Sequence, residues 1–303
     1  MADDDSPNVH LEERIDAECA KVRSTDDLPK EPLWHYCGAD GCQGIVATDE
    51  IFATHYGFTN DTEELLRGQK IVFETVQRMV AAEMNQQKRE LLEMVAKILP
   101  EQQMNALQAD VFLACFTASP GPDDLTQWSG YGHRGTGYAL QLDLKLPEQL
   151  PVDRLGVTLA KVIYDDNEFA KLVQDQVERY VSIYLANNPD PATVSRVASW
   201  IRLECALLSP RLKHSCFAHE REWRLIAVPR TKNAVFLIEF RKRDPNILVP
   251  YVKISIGHVV RAMVIGPAHG GEATARLYAA KMLLAKHCYG ASLAKLSPIP
   301  YRG

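Results

Sequence analysis

The stretch His219-Glu220-Arg221-Glu222-Trp223-Arg224-Leu225-Ile226-Ala227-Val228 carries two patterns at once. Its second half is an unbroken apolar run, which predicts a β-strand entering a hydrophobic core. Its first half places two carboxylates and an arginine at alternate positions, and on a strand positions i, i+2 and i+4 share a face. Glu220, Glu222 and Arg224 are therefore expected to project together, with Trp223 and Leu225 turned into the core. Two carboxylates on one face repel and tend to raise one another's pKa. Such clusters concentrate at functional sites, a structural ion-pair network being the competing reading.

Outward from that strand, helical and extended patterns are mixed without regular β-α-β alternation. That argues an α+β fold rather than a doubly wound parallel sheet. Extended segments are predicted at Leu33–Tyr36, Gly44–Ala47, Glu50–Ala53, Val111–Phe116, Tyr138–Leu142, Val157–Tyr164, Val235–Phe240, Leu248–Ile254 and Val259–Ile265. A long helix follows the loop at Gly57–Asp61. Its apolar spacing runs through Leu65, Val72, Val76, Met79 and Val80, resumes from Leu91 to Leu99, and stops at Pro100, the polar run Met84–Glu90 between them being either a break or an exposed middle. Two amphipathic helices near Asn167–Ala186 and Ala192–Leu208, and a last one at Glu272–His287, complete the set. The helices near 62–108 and 166–208 read as insertions on one β core. The result is a single α+β domain over 31–303, behind a flexible segment, 1–30, that has one weak helical stretch around Leu11–Val22.

With 46% hydrophobic residues in 303, the chain can bury a substantial core. A formal charge of −5 argues against broad nonspecific nucleic-acid binding, while leaving room for a local basic groove. The seven cysteines are scattered and mostly set in apolar runs, the habit of free thiols in a reducing cytosol. Cys37 and Cys42, with His35 and His55 nearby, do not follow a standard zinc spacing, so no metal is expected. The acidic N-terminus lacks the apolar stretch of a secretory signal, and nothing approaches the ~18 apolar residues of a membrane span. A cytoplasmic protein with no membrane partner is the expectation.

No Walker A loop, Rossmann glycine fingerprint or Gly-x-Ser-x-Gly elbow is present. Gly130-Tyr131-Gly132-His133-Arg134-Gly135-Thr136-Gly137 could let a backbone approach a phosphate, or be an ordinary loop before a strand. Trp34-His35-Tyr36 and Gln127-Trp128-Ser129-Gly130-Tyr131 mix aromatic rings with small polar groups. That mixture suits stacking on a flat ring while hydrogen-bonding its edge, although Trp128 itself reads as core.

Taken in order, these segments resemble a large bacterial family of uncharacterised domains. Its members carry an F-N-D-P-x-E-like turn, a C-F-S…W…Y-G stretch, an E-x-E-W-R segment and, in longer members, F-R…L-V-P-Y and S-P-I-P-Y-R. Here these are Phe58–Glu63, Cys115-Phe116-Thr117 with Trp128, Tyr131 and Gly132, then Glu220–Arg224, Phe240-Arg241 with Leu248–Tyr251, and Ser297–Arg302. Thr62 stands where a proline is common, and Thr117 where a serine is.

The order of segments also looks like that of ADP-ribosyltransferases. Those enzymes place a His or Arg on the first core strand, a Ser, Thr or Tyr on a middle strand, and a Glu late in the chain. The resemblance implies a split β core with long helical insertions, NAD as co-substrate, and an acceptor that is a protein, a nucleic acid or a small molecule. It implies that Glu222 stabilises the oxocarbenium cation, Glu220 assists the acceptor and Tyr131 stacks on nicotinamide. His35, with Tyr36 beside it, would contact NAD. Tyr131 or Tyr138 would fill the middle slot, and Arg224 or Arg134 would meet phosphate. With water as acceptor the same chemistry gives an NAD glycohydrolase. From a different class, the chain could be a noncatalytic nucleotide-sensing or interaction module in bacterial defence, its E-x-E-W-R charges forming a structural network.

Overall fold

A computed structural model describes residues 17–19, 28–59, 63–99, 110–144, 155–187, 191–229, 232–244, 246–267 and 272–300. The first three elements are β1 (Leu33–Cys37), α1 (Ala39–Thr48) and β2 (Glu50–His55). Helix α1 overturns the extended reading of Gly44–Ala47. Cys42, Ile45 and Val46 are buried at helical spacing, so one stripe reaches the core in spite of Gly41 and Gly44.

The long helical stretch is divided near the polar run Met84–Glu90 into α2 (Glu63–Ala82) and α3 (Gln86–Ile98), the break and not the exposed middle. Asn85 breaks it by capping the second, its side chain accepting from the Lys88 amide at 3.1 Å. Pro100 and the rest of the predicted insertion to 108 lie outside the described residues. Next come β3 (Phe112–Ala118), α4 (Leu125–Gly130), β4 (Tyr138–Leu142), β5 (Leu155–Lys161), α5 (Asp166–Ala186) and α6 (Pro191–Leu208). The last third holds β6 (Glu222–Pro229), β7 (Ile238–Asp244), β8 (Ile247–Ser255), β9 (Val260–Ile265), α7 (Ala273–Lys286) and β10 (Ala294–Leu296). Val235–Leu237, predicted extended, belong to a 3-10 turn, and β10 was not anticipated.

The strands form one open, mixed sheet of ten, in the order β10-β9-β4-β1-β3-β2-β8-β7, with β6 and β5 branching from β3. Among the described residues the β10–β9 pair is the only parallel pairing of two strands. Strand β3 is the branch point. Along one edge it pairs with β6 throughout, from Phe112↔Ala227 to Thr117↔Glu222. On the other edge it meets β1 only at Leu33↔Ala118 and Trp34↔Thr117, and β2 only at Thr54↔Leu113 and His55↔Phe112. Between these contacts β1 swings away to pair with β4, and β2 to pair with β8. The sheet thus parts over Ala114–Phe116.

Strand β6 alternates as its sequence requires. Ile226 and Val228 join the helical cluster with Val72, Val95 and Tyr180, while Trp223, Leu225 and Ala227 join the cluster under α1 and α7. Helix α2 lies very close to the 3-10 turn Ser209–Arg211. A Cβ at Gly68 would stand 2.0 Å from the Ser209 carbonyl oxygen, so only glycine allows the approach. A third cluster joins Trp34, Tyr36 and Trp128, and Ile299 from the C-terminal tail packs on it. Ser297 pins that tail by donating to Asp123 at 3.0 Å.

Part of the N-terminal segment belongs to the packed body. Residues 17–19 are helical, Cys19 is fully buried in the helical cluster, and Glu18 accepts from the Asn187 side chain at 3.0 Å. The remainder of the Leu11–Val22 prediction lies outside the described residues. Among the described residues no helix is long and apolar enough to cross a membrane.

Candidate functional site

Where β1 and β2 part, a cleft of about 900 Å³ opens. Leu113–Thr117 of β3 form its floor, His35 and Phe52 come from the two diverging strands, and Tyr131, Lys213, Glu220, Glu222 and Arg224 line it as well. His35, Tyr131 and Glu222, expected together from sequence, do line one cleft, as does Tyr36. Tyr36 is nevertheless buried edge-on against Trp128, with its hydroxyl donating to the Pro122 carbonyl at 2.9 Å. Two expected residues are not in the lining. Arg134 sits exposed in the glycine-rich turn at φ 53°, and the Tyr138 ring faces the Arg276 guanidinium, 5.6 Å from its centroid.

Five of the cleft's charged side chains form one buried network. Glu222, the first residue of β6, accepts at Oε1 from Arg224 Nε at 2.7 Å. Its Oε2 accepts from Lys213 Nζ at 2.9 Å and from Arg224 Nη2 at 3.1 Å. Arg224 Nη2 also donates to Glu64 in the first turn of α2 at 2.8 Å, and Nη1 to the Pro210 carbonyl at 2.6 Å. Lys213 Nζ reaches Glu220 Oε2 at 2.5 Å, and the Tyr131 hydroxyl donates to Glu220 Oε1 at 3.1 Å. All five side chains, three carboxyl groups and two cations, are buried. Every nitrogen of Arg224 is engaged in this network, which removes it as a phosphate ligand.

The two carboxylates do not share a strand face. Glu220 ends a 3-10 turn, Ser215–Glu220, and Arg221 follows in the left-handed region at φ 46°, which breaks the alternation. Glu220 is also as buried as Glu222, not the more open of the two. They meet because Lys213 bridges them. The strand-like stub that carries Lys213 is fixed by its amide donating to the Ile163 carbonyl at 2.9 Å. The expected mutual raising of pKa is overridden at Glu222. Burial alone would raise its carboxyl, but the charge and hydrogen bonds of Arg224, with Lys213, hold it down at about 2.

His35 Nδ1 lies 2.9 Å from the Cys115 carbonyl. A carbonyl only accepts, so Nδ1 carries the proton and Nε2 is left as an acceptor. Burial, partly offset by that hydrogen bond and reinforced by the charge of Arg241, lowers the imidazole pKa and keeps it neutral. Burial, with the negative charges of Glu220 and Glu222, raises the Tyr131 hydroxyl in spite of Lys213 and keeps it a donor. The Cys115 thiol, at the middle of the parted floor, is pushed well up by burial and by Glu222, so it is not a thiolate.

A depressed carboxyl makes stability depend on pH. The contribution of ionised Glu222 is fully present above its ordinary value of 4.5 and is lost as pH falls towards about 2. The whole shift corresponds to about 3 kcal/mol. Urea midpoints are expected to hold from about pH 6 to about pH 4.5 and to fall below that, more steeply than in Glu222→Gln. Parallel profiles for the two proteins below pH 4.5 would contradict the assignment.

Lys213 and Glu64 were missed from sequence as site residues, and Cys115 was read only as part of a family segment. Glu64 read as an ordinary acidic residue of a helix first turn, and Lys213 has no motif around it. Their roles follow from tertiary neighbours alone.

A domain of the family described as protein of unknown function (DUF2971) is found at residues 127–225. Its span runs from α4 into β6 and carries Tyr131, Lys213, Glu220, Glu222 and Arg224. The match bears out the resemblance to an uncharacterised domain family and does not extend to ADP-ribosyltransferases. No curated protein and no solved structure matches the chain.

Proposed function

We propose that the cleft binds a nicotinamide dinucleotide and breaks its nicotinamide–ribose bond, passing ADP-ribose to an acceptor, as an ADP-ribosyltransferase-like enzyme on a split β core. The observation that carries this reading is the meeting of His35, Tyr131 and Glu222, distant in sequence, at the parting of β1 and β2. Breaking that bond develops an oxocarbenium cation, which a fixed carboxylate stabilises. Glu222 is held ionised in a buried network at the cleft floor. Tyr131 is 39% exposed and offers a ring face for nicotinamide. The free Nε2 of His35 suits a ribose hydroxyl, and Glu220, joined to Tyr131, suits the acceptor side.

One observation favours a second reading. Both oxygens of Glu222 are already bound by cations, as in a structural network beneath a noncatalytic nucleotide-sensing site. Incubating the protein with NAD, and following nicotinamide by chromatography and label transfer from radiolabelled NAD, separates the readings. Release with transfer supports the transferase. Release without transfer makes the protein an NAD glycohydrolase, and saturable binding without release makes it a sensor. Neither binding nor release rejects the nucleotide reading altogether.

A further inference from the structure

Each buried charge on the cleft floor has a counter-charge, but on strand β7 the pattern reverses. Arg241 and Arg243 are two residues apart on that strand, whose pairing with β8 shifts register at Arg243, and both line the same cleft, as does Lys242 between them. Arg241 Nη2 donates to the Thr54 hydroxyl at 2.8 Å, and Arg243 donates to the Phe58 carbonyl. Both acceptors are neutral. Among the described residues neither guanidinium has a carboxylate partner, whereas Lys213 and Arg224 on the cleft floor are each paired twice. Arg243 and Arg241 are close enough to oppose one another's charge, and Arg241 is close enough to His35 to depress the imidazole.

Two like charges held side by side by neutral braces form a preorganised receptor for an anion. The guanidinium is the side chain whose planar set of donors matches phosphate oxygens. A nearby aromatic surface completes the site. Phe52 and Tyr251 stack at 4.6 Å, and the Arg241 guanidinium lies 5.8 Å from the Tyr251 ring.

We infer that Arg241 and Arg243 form the phosphate-binding fork of the cleft and hold the phosphate groups of a nucleotide. This assigns the role once expected of Arg224 or Arg134 to a pair of residues that have their charge to give. The identity of the ligand as a nucleotide rests on the proposed function. The anion site itself rests on the two arginines.

The test is calorimetric titration of ADP, of adenosine and of a short single-stranded oligonucleotide into the full chain and into Arg241→Gln/Arg243→Gln. Both side chains are exposed, so the core is untouched by the change. Lys253→Gln serves as a control, because that ammonium pairs with Glu239 at 2.9 Å and does not line the cleft. Loss of charge-assisted hydrogen bonds is expected to weaken phosphate-bearing probes by about tenfold or more, leave adenosine unchanged, and flatten the salt dependence. Arg241→Lys/Arg243→Lys should recover part of the loss. The tighter of ADP and the oligonucleotide assigns the phosphate to a free nucleotide or to a nucleic-acid strand. Equal binding to wild type and to the glutamine variant, or no binding of either phosphate probe, overturns the inference. Phosphate binding that needs the arginines in a protein that leaves NAD intact would retain the fork and discard the transferase. NAD turnover with an unchanged KM in the glutamine variant would do the reverse.

Discussion

Arg224→Leu is expected to lower the stability of the folded protein by about 3–5 kcal/mol, the cost of removing one partner from a buried ion pair. The side chain is 3% exposed and ties β6 to α2 through Glu64, to its own strand through Glu222, and to the 3-10 turn through the Pro210 carbonyl. Leucine fills part of the volume but withdraws the guanidinium that both Glu64 and Glu222 bind. The measurement is the urea unfolding free energy of the variant, alone and in a double-mutant cycle with Glu64→Gln. Because the two sites share a contact, their losses should be strongly non-additive. A loss below about 1 kcal/mol, the scale of an exposed ion pair, would mean that water replaces the guanidinium and that the network is not structural.

The second large effect concerns chemistry. Glu222→Gln is expected to slow nicotinamide release by about 10²–10³-fold, the usual consequence of removing one electrostatic stabiliser from a transition state. The amide can still accept from Arg224 through its oxygen, but its NH₂ then meets the Lys213 ammonium, donor against donor. Some stability is therefore lost as well. The rate has to be read at a temperature where tryptophan fluorescence shows the variant folded. Turnover at the wild-type rate in a folded variant would move the cation-stabilising role elsewhere in the cleft. Unfolding of the variant at room temperature would make Glu222 a structural residue first.

Much of this was legible from residue order. The apolar run Leu225–Val228 announced a buried strand, and its alternation is the one observed. The aromatic and polar character of Trp34-His35-Tyr36 and of the Tyr131 segment pointed to the cleft walls. The failures have physical causes. Gly44–Ala47 is too short an apolar run to separate strand from helix, and tertiary packing of Cys42, Ile45 and Val46 decided for the helix. Glu220 was placed by assuming that alternation extended upstream. A non-glycine residue in the left-handed region, Arg221, ended it without any sequence signal. Lys213 and Glu64 became visible only through long-range contacts, and the open charge of Arg241 and Arg243 depends on which groups stand opposite them across β2.

The branching at β3 also bears on how the chain comes to exist. Strand β3 receives β6 only when residues 222–227 have been synthesised, β4 waits for β9, and the free edge of β2 waits for β8, where Glu50 pairs with Ser255. During translation the early strands therefore present unsatisfied amide and carbonyl edges to the crowded surroundings of the ribosome, the condition in which nascent β-structure is most prone to intermolecular pairing. Closing such distant contacts is slow, because chain entropy must be surrendered before the pairing rewards it. The walls of the cleft depend on strands synthesised late, and a chain interrupted before β7 would lack both arginines of the fork as well as β2's outer partner.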